Sequence, residues 1–277
     1  MRTIIVINDN SDEALHAAEV ALTVAQKNKA NLLLANFVKT AKPNQVKVSV
    51  THDYDIKNDL AEEQETNLAQ YLVSITATNT GFVPVISNLD VSELQTHELV
   101  DFINRNNTWM MVQGCGEANV APMQSFNCYS LLNAVKCPIL FIPKTFKAVD
   151  FEQIVYMTDL RYCQLSVARF LTNFAKKFDA NLLLAHLSAS GLPHIQQEYA
   201  GELFNETVGR YLSYDKLRFN NIKETSLDKA LDVLIHGMNT ELLVLVNHQF
   251  HFKEVLEKSL SQNQLPQIGI PLMLFPF

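Results

Sequence analysis

Apolar positions along the chain fall into two alternating kinds of segment. Short, nearly unbroken apolar runs such as TIIVIN from Thr3 suit strands covered on both faces, because such a strand has no solvent-facing alternate positions to fill with polar residues. Between the runs lie stretches with helical spacing. Ala14, Ala17, Ala18, Ala21, Leu22 and Ala25 share one face of a helix over residues 11–29. In the first half the pattern predicts strands at TIIVIN, NLLLANF, FVPVIS from Phe82, TWMMVQ and residues 138–142. It predicts further helices over residues 57–78, after a capping box SELQ at Ser92, and over residues 125–135. The second half predicts strands QIVYMT, NLLLAHL, residues 217–222, ELLVLV and PLMLF. Helices are expected there over residues 162–178, 196–212, 226–238 and 252–260. Five strands alternating with helices in each half imply right-handed crossovers and a parallel sheet covered on both faces, a doubly wound α/β layer.

The two halves are copies. ANLLLA occurs at Ala30 to Ala35 and again at Ala180 to Ala185, and at the same offset of 150 Ile4, Asp9, Leu15, Ala18, Ala25 and Lys27 recur as Ile154, Asp159, Leu165, Ala168, Ala175 and Lys177. That makes 12 identities in 32 ungapped positions from Ile4 to Ala35, which marks a duplication. Near the end of each half the offset falls to 133, pairing TWMMVQ with ELLVLV and CPILFIP with IPLMLFP. The first half therefore carries about 17 extra residues around positions 40–80, in a surface connection that tolerates insertion. Two domains are expected, residues 1–146 and 150–277.

Composition narrows the partners. Of 277 residues 48% are hydrophobic, enough for a substantial core, and the formal net charge of -7 comes without any basic run. Nucleic acid and anionic membrane are therefore not expected as partners. The N-terminus MRTIIVINDN is too short in apolar residues for a signal-peptide core. No apolar run reaches the roughly 20 residues that span a bilayer. Cys115, Cys128, Cys137 and Cys163 show no CxxC spacing, as free thiols in a reducing compartment would, so a cytoplasmic location is expected. GxSxG, HExxH and zinc-type spacings are absent from the sequence.

A first strand ending in Asp, an Ala-rich first helix, a second strand of type NLLLAH and a closing CPILFIP strand together resemble the universal stress protein family, over nearly the whole chain and in both halves. The resemblance implies the adenine nucleotide alpha hydrolase-like fold, a five-stranded parallel sheet flanked by helices. It also implies that two such units pair through their last strands, here within one chain. One branch of that family binds ATP through a GxxG loop after strand four, followed nine residues later by Gly and Ser or Thr; glycines let backbone N–H groups approach phosphate oxygens. Here Gly114 matches the first glycine, but Glu117 replaces the second, and Ser125 and Phe126 stand where the later pair would be. In the second half Asn247 and Phe250 take the glycine places and Lys258 and Ser259 the later pair. Only Gly114 and Ser259 survive, so both nucleotide loops are expected to be degenerate.

Candidate ligand-binding residues are Asp9, Gly114, Gly116, Asp159, His186, His248 and Ser259. Asp9 and Asp159 sit at the carboxyl end of the first strand of each half, where open α/β sheets bind ligands; the alternative role is an N-terminal cap for the next helix. His186, His248 and His251 share one sheet edge and suit either an anion or metal site or a filled, collapsed pocket. Cys115 lies between two glycines, a setting that can lower a thiol's pKa. The expected function is a non-catalytic stress-response protein, with no metal and no certain cofactor. The alternative is a regulator holding ATP, another adenine nucleotide or a small anion in the first domain. Homo-oligomerisation stays open.

Overall fold

The computed structural model describes residues 1–37, 65–76, 81–116, 128–147, 150–223, 226–257, 260 and 268–276. The first half contains β1 (Arg2–Asn8), α1 (Asp12–Asn28), β2 (Ala30–Asn36), α2 (Glu65–Thr76), β3 (Ile86–Asp90), α3 (Thr96–Arg105), β4 (Thr108–Cys115), α4 (Cys128–Ala134) and β5 (Ile139–Pro143). The second contains β6 (Gln153–Thr158), α5 (Leu165–Phe178), β7 (Asn181–Leu187), α6 (Gln197–Phe204), β8 (Leu217–Ile222), α7 (Leu227–Asp232), β9 (Leu242–Val246), α8 (Phe250–Phe252) and β10 (Leu272–Phe275). Widened π-helical turns extend α6, α7 and α8 through Gly209, Gly237 and Glu257.

The ten strands among the described residues form one sheet in the order β3-β2-β1-β4-β5-β10-β9-β6-β7-β8. Every neighbouring pair is parallel except β5 and β10, which run antiparallel with Leu272 opposite Phe141 and Leu274 opposite Ile139. The doubly wound order is thus repeated, and each last strand covers what would be an open edge of the other half. Side-chain alternation along the strands fills two cores. Ile4, Val6, Ile154 and Tyr156 point to the face covered by α1, α2, α5 and α6. Ile5, Ile7, Val155 and Met157 point to the face covered by α3, α4, α7 and α8. Each core runs across both halves, so α/β layering and the join between halves rest on the same apolar burial.

Capping repeats as well. Lys29 ends α1 at φ 53 and Asp179, 150 positions later, ends α5 at φ 56, both in the left-handed conformation that closes a helix. Four boundaries differ from the sequence pattern. Strand β3 starts at Ile86 rather than Phe82, because Pro84 has no N–H and the Val85 N–H is taken by Asn31 Oδ1 at 3.2 Å. Ser92 does not cap α3. Its N–H donates to Asp90 Oδ1, and α3 begins after Gln95, whose N–H donates to the Glu98 carboxylate at 2.8 Å. Tyr162 belongs not to α5 but to a single 3₁₀ turn capped by Asp159. Helix α8 starts at Phe250, two residues before the expected position. Most of the expected insertion around residues 40–80 lies outside the described residues.

Candidate functional site

The order of strands reverses between β1 and β4 in the first half and between β6 and β9 in the second, and ligands of open α/β sheets bind outside the carboxyl ends at such points. In the first half Asn8 closes β1 beside Asn36 of β2, and Asn8 Nδ2 donates to Asn36 Oδ1 at 2.7 Å. Asp9 follows, partly buried, with its Oδ1 accepting from the Ser11 N–H at 3.0 Å and the Ser11 hydroxyl at 2.5 Å. Ser11 Oγ in turn accepts from the Ala14 N–H and is the actual N-cap of α1. Asp9 therefore braces the cap from one step back, which satisfies orphan donors of the first helical turn.

Gly114 ends up inside β4, opposite Ile142. A Cβ there would lie 2.3 Å from the Glu13 carbonyl oxygen and 2.9 Å from the Ala14 nitrogen. The missing side chain thus lets the first turn of α1 press backbone against backbone. Gly116 faces the Glu13 carboxylate, 2.9 Å from where its Cβ would be. Lys144 Nζ reaches Glu13 Oε1 at 3.3 Å and Asp12 Oδ2 at 3.2 Å. The rim that would face phosphate is therefore lined by carboxylates, with the lysine already engaged by two of them. Next to it a cavity of about 400 Å³ is lined by Asn8, Asn10, Ser11, Leu15, Leu68 and Tyr71.

The second half fills the corresponding place. Thr158 and His186 stand where Asn8 and Asn36 stand in the first half, again as strand partners. Asp159 is buried and its carboxylate is saturated. It accepts from Arg161 Nε at 2.8 Å, Arg161 Nη2 at 2.5 Å, the Arg161 N–H at 3.0 Å and the Ala189 N–H at 3.0 Å. Burial acts to raise its pKa, but the Arg161 and backbone donors outweigh burial and hold it below the usual carboxylate range. Gln249 closes the mouth, donating from Nε2 to the Tyr162 carbonyl at 2.9 Å and accepting from Thr158 Oγ1 at 3.4 Å. The Phe250 ring packs on Tyr162 at 5.3 Å. Asn247, at the place of Gly114, is buried and donates to Asn133 Oδ1 of α4 at 2.8 Å, across the join between halves.

The three histidines do not share one environment. His186 is fully buried; its Nδ1 accepts the Leu160 N–H at 3.2 Å, which leaves the ring proton on Nε2, where no hydrogen-bond partner is found among the described residues. Burial pulls its pKa down. His251 is also buried, with Nε2 2.8 Å from the Leu187 carbonyl oxygen. His248 is exposed and left-handed at φ 61. Among the described residues no group of three or more His, Cys, Asp or Glu is placed to hold a metal ion. Ser259, with Glu117, Ser125, Phe126 and Lys258, lies outside the described residues.

Cys115 does not carry an activated thiol. It is 4% exposed, and burial, with Cys128 nearby, raises its pKa, the direction low dielectric imposes on a thiolate. Cys128 is pushed up to about 11, and Cys137 and Cys163 to about 12, each chiefly by burial. Sequence reasoning missed Arg161, Glu13 and Lys144, whereas Gln249 and Phe250 were expected as part of a filled pocket. Arg161 had a legible signal, an arginine two residues after a buried-strand Asp; the others act through tertiary contacts.

No family model matches the chain, and no curated protein matches it. Solved structures do. A universal stress protein from Archaeoglobus fulgidus DSM 4304 superposes with a TM-score of 0.60 at 13% identity, covering 99% of this chain and 95% of that one. A Pseudomonas aeruginosa UCBPP-PA14 protein provisionally assigned as a universal stress protein gives 0.55 at 11% identity, covering 99% and 93%. A functionally unknown Pseudomonas aeruginosa PAO1 protein gives 0.54 at 11%, covering 99% and 92%. The chain has the fold of the tandem universal stress proteins, a mostly parallel α/β sheet built twice. Among the described residues no helix is long and apolar enough to cross a membrane.

Proposed function

We propose that this chain is a non-catalytic stress-response protein of the universal stress type. Domains 1–146 and 150–277 form a pseudo-dimer within one chain, and neither domain keeps a working ATP loop. The observation that carries this reading is what the chain's own groups do at the two switch points, where carboxylates rim the first and side chains close the second. Glu13 lies over Gly116 in the first half, while Gln249 and the Asp159–Arg161 pair close the second. Polyphosphate entering the first site would meet the carboxylates of Asp12 and Glu13, and entering the second it would have to compete with four contacts to Asp159. A cytoplasmic setting agrees with four unpaired cysteines.

A second reading rests on the cavity of about 400 Å³ beside Asn8, Asn10 and Tyr71, which is roomy enough for an adenine nucleotide or a small anion in domain 1. Thermal unfolding with and without ATP separates the two. The first reading expects no ligand-induced stabilisation in the parent chain. Stabilisation that disappears in Asp9→Ala would replace it with the second.

A further inference from the structure

Reversal of β10 against β5 brings the carboxyl end of the second half beside the amino ends of the first half's strands. Phe275 and Pro276 thereby meet Thr108 and Trp109 at the start of β4, and the first turn of α5 closes the gap. The result is a cavity of about 580 Å³ at the join, a volume typical of small-molecule sites. It lies at the amino ends of the first half's strands, remote from the first switch point, and borders the second, since Phe275 pairs with Val246 at the end of β9; it can exist only when the two halves share a chain or an interface.

Its chemistry is one-sided. In a chain with 29 acidic residues and a net charge of -7, no acidic side chain lines this cavity, while Arg2 and Lys136 both do. The Arg2 guanidinium carbon stands 5.2 Å from the centroid of the Trp109 ring, and Trp109 stacks on Phe170 at 5.3 Å. Phe275 packs edge-on against Phe170 at 5.1 Å. Neither Arg2 nor Lys136 has a carboxylate partner among the described residues, and the buried Thr108 Oγ1 has no hydrogen-bond partner. Two cations without a carboxylate partner and a hydroxyl without a hydrogen-bond partner among the described residues, beside an aromatic wall, suit a ligand with a flat apolar body and a negative head.

The geometry points to a binding site for small aromatic anions between the two halves, with Arg2 and Lys136 holding the anionic group and Trp109, Phe170 and Phe275 the ring. Trp109 is the only tryptophan in the chain, so its emission reports on the site directly. The test titrates the full chain with anilinonaphthalene sulfonate and, separately, with its uncharged relative phenylnaphthylamine, following Trp109 quenching and energy transfer. The anionic probe should saturate at one per chain. The uncharged probe should bind roughly tenfold more weakly, and the Arg2→Gln, Lys136→Gln double variant should lose about the same factor for the anion alone. Lys229→Gln, which removes a charge outside the cavity, should change neither, and thermal melts of all variants confirm that they are folded. Equal binding of the two probes, an unaltered anion affinity in the double variant, or no saturable quenching overturns the assignment.

Discussion

Replacing Gly114 by Ala separates a packing glycine from a phosphate-loop glycine. Neither Gly114 nor Gly116 has a left-handed φ, so conformation does not distinguish them. What differs is the neighbour. At Gly114 the new Cβ would stand 2.3 Å from a backbone oxygen, and to regain contact near 3.4 Å the first turn of α1 must retreat by about 1 Å. That turn is anchored by Ala14, Ala17 and Ala18, all buried, so the strain has no soft outlet. Overpacking typically costs about 1–3 kcal/mol, and contact with backbone belongs at the upper end, about 3 kcal/mol. At roughly 2–4 °C per kcal/mol for a protein of this size, the melting midpoint should fall by about 6–12 °C. At Gly116 the Cβ meets only the far end of the Glu13 side chain, which can swing away, so Gly116→Ala should cost under about 1 kcal/mol. Thermal and urea unfolding, read as midpoints, measure both. If the two variants melt together, α1 is not pressed onto β4 as described and Gly114 is free for another role.

Three further outcomes are expected. Asp159→Asn should destabilise the chain at neutral pH by about 3 kcal/mol, because it leaves Arg161 without its counter-charge. Since the folded pKa of Asp159 is lowered, its contribution is present above the unfolded carboxylate value and is lost as pH falls below it; the variant should show a shallower acid limb in a urea-midpoint versus pH series. His186→Asn copies Asn36 of the first half. As burial lowers the folded pKa of His186 below 6.5, the parent chain should lose stability as pH falls from that value, and the variant should lose less. The buried thiols of Cys115, Cys128 and Cys137 should resist an aromatic disulfide reagent in the native chain at mildly alkaline pH and react fully in denaturant, while partly buried Cys163 should be the first of the four to react; rapid reaction of Cys115 in the native chain would contradict its burial.

Much of the fold was legible because buried parallel strands and amphipathic helices leave strong periodic signals, and because the duplication doubled each signal. Ile4 with Ile154, and the alanines and leucines of ANLLLA with those of its copy, lie in the cores or pack against them. β3 was less legible: Val83 and Val85 look like strand residues, yet they are 55% and 64% exposed on an edge, where β propensity does not report pairing. At the switch points the sequence revealed which glycines were replaced but not which side chains from other elements reach the site. Glu13 over Gly116 comes from a different element, and Gln249 reaches Tyr162 across 87 positions; neither relation has a local pattern. Gly114 shows the same limit in reverse, since a glycine matching a phosphate motif serves helix-to-strand contact. Cys115 between two glycines suggested a lowered thiol pKa, but its strand is covered by α4 and burial raises it.

The most direct test of the functional account is a calorimetric titration of the full chain, purified without added nucleotide, with magnesium ATP. Carboxylates at the first switch point and the closed second one predict no saturable heat of binding. Tight binding at one ATP per chain or per domain would contradict the account and restore a working nucleotide loop.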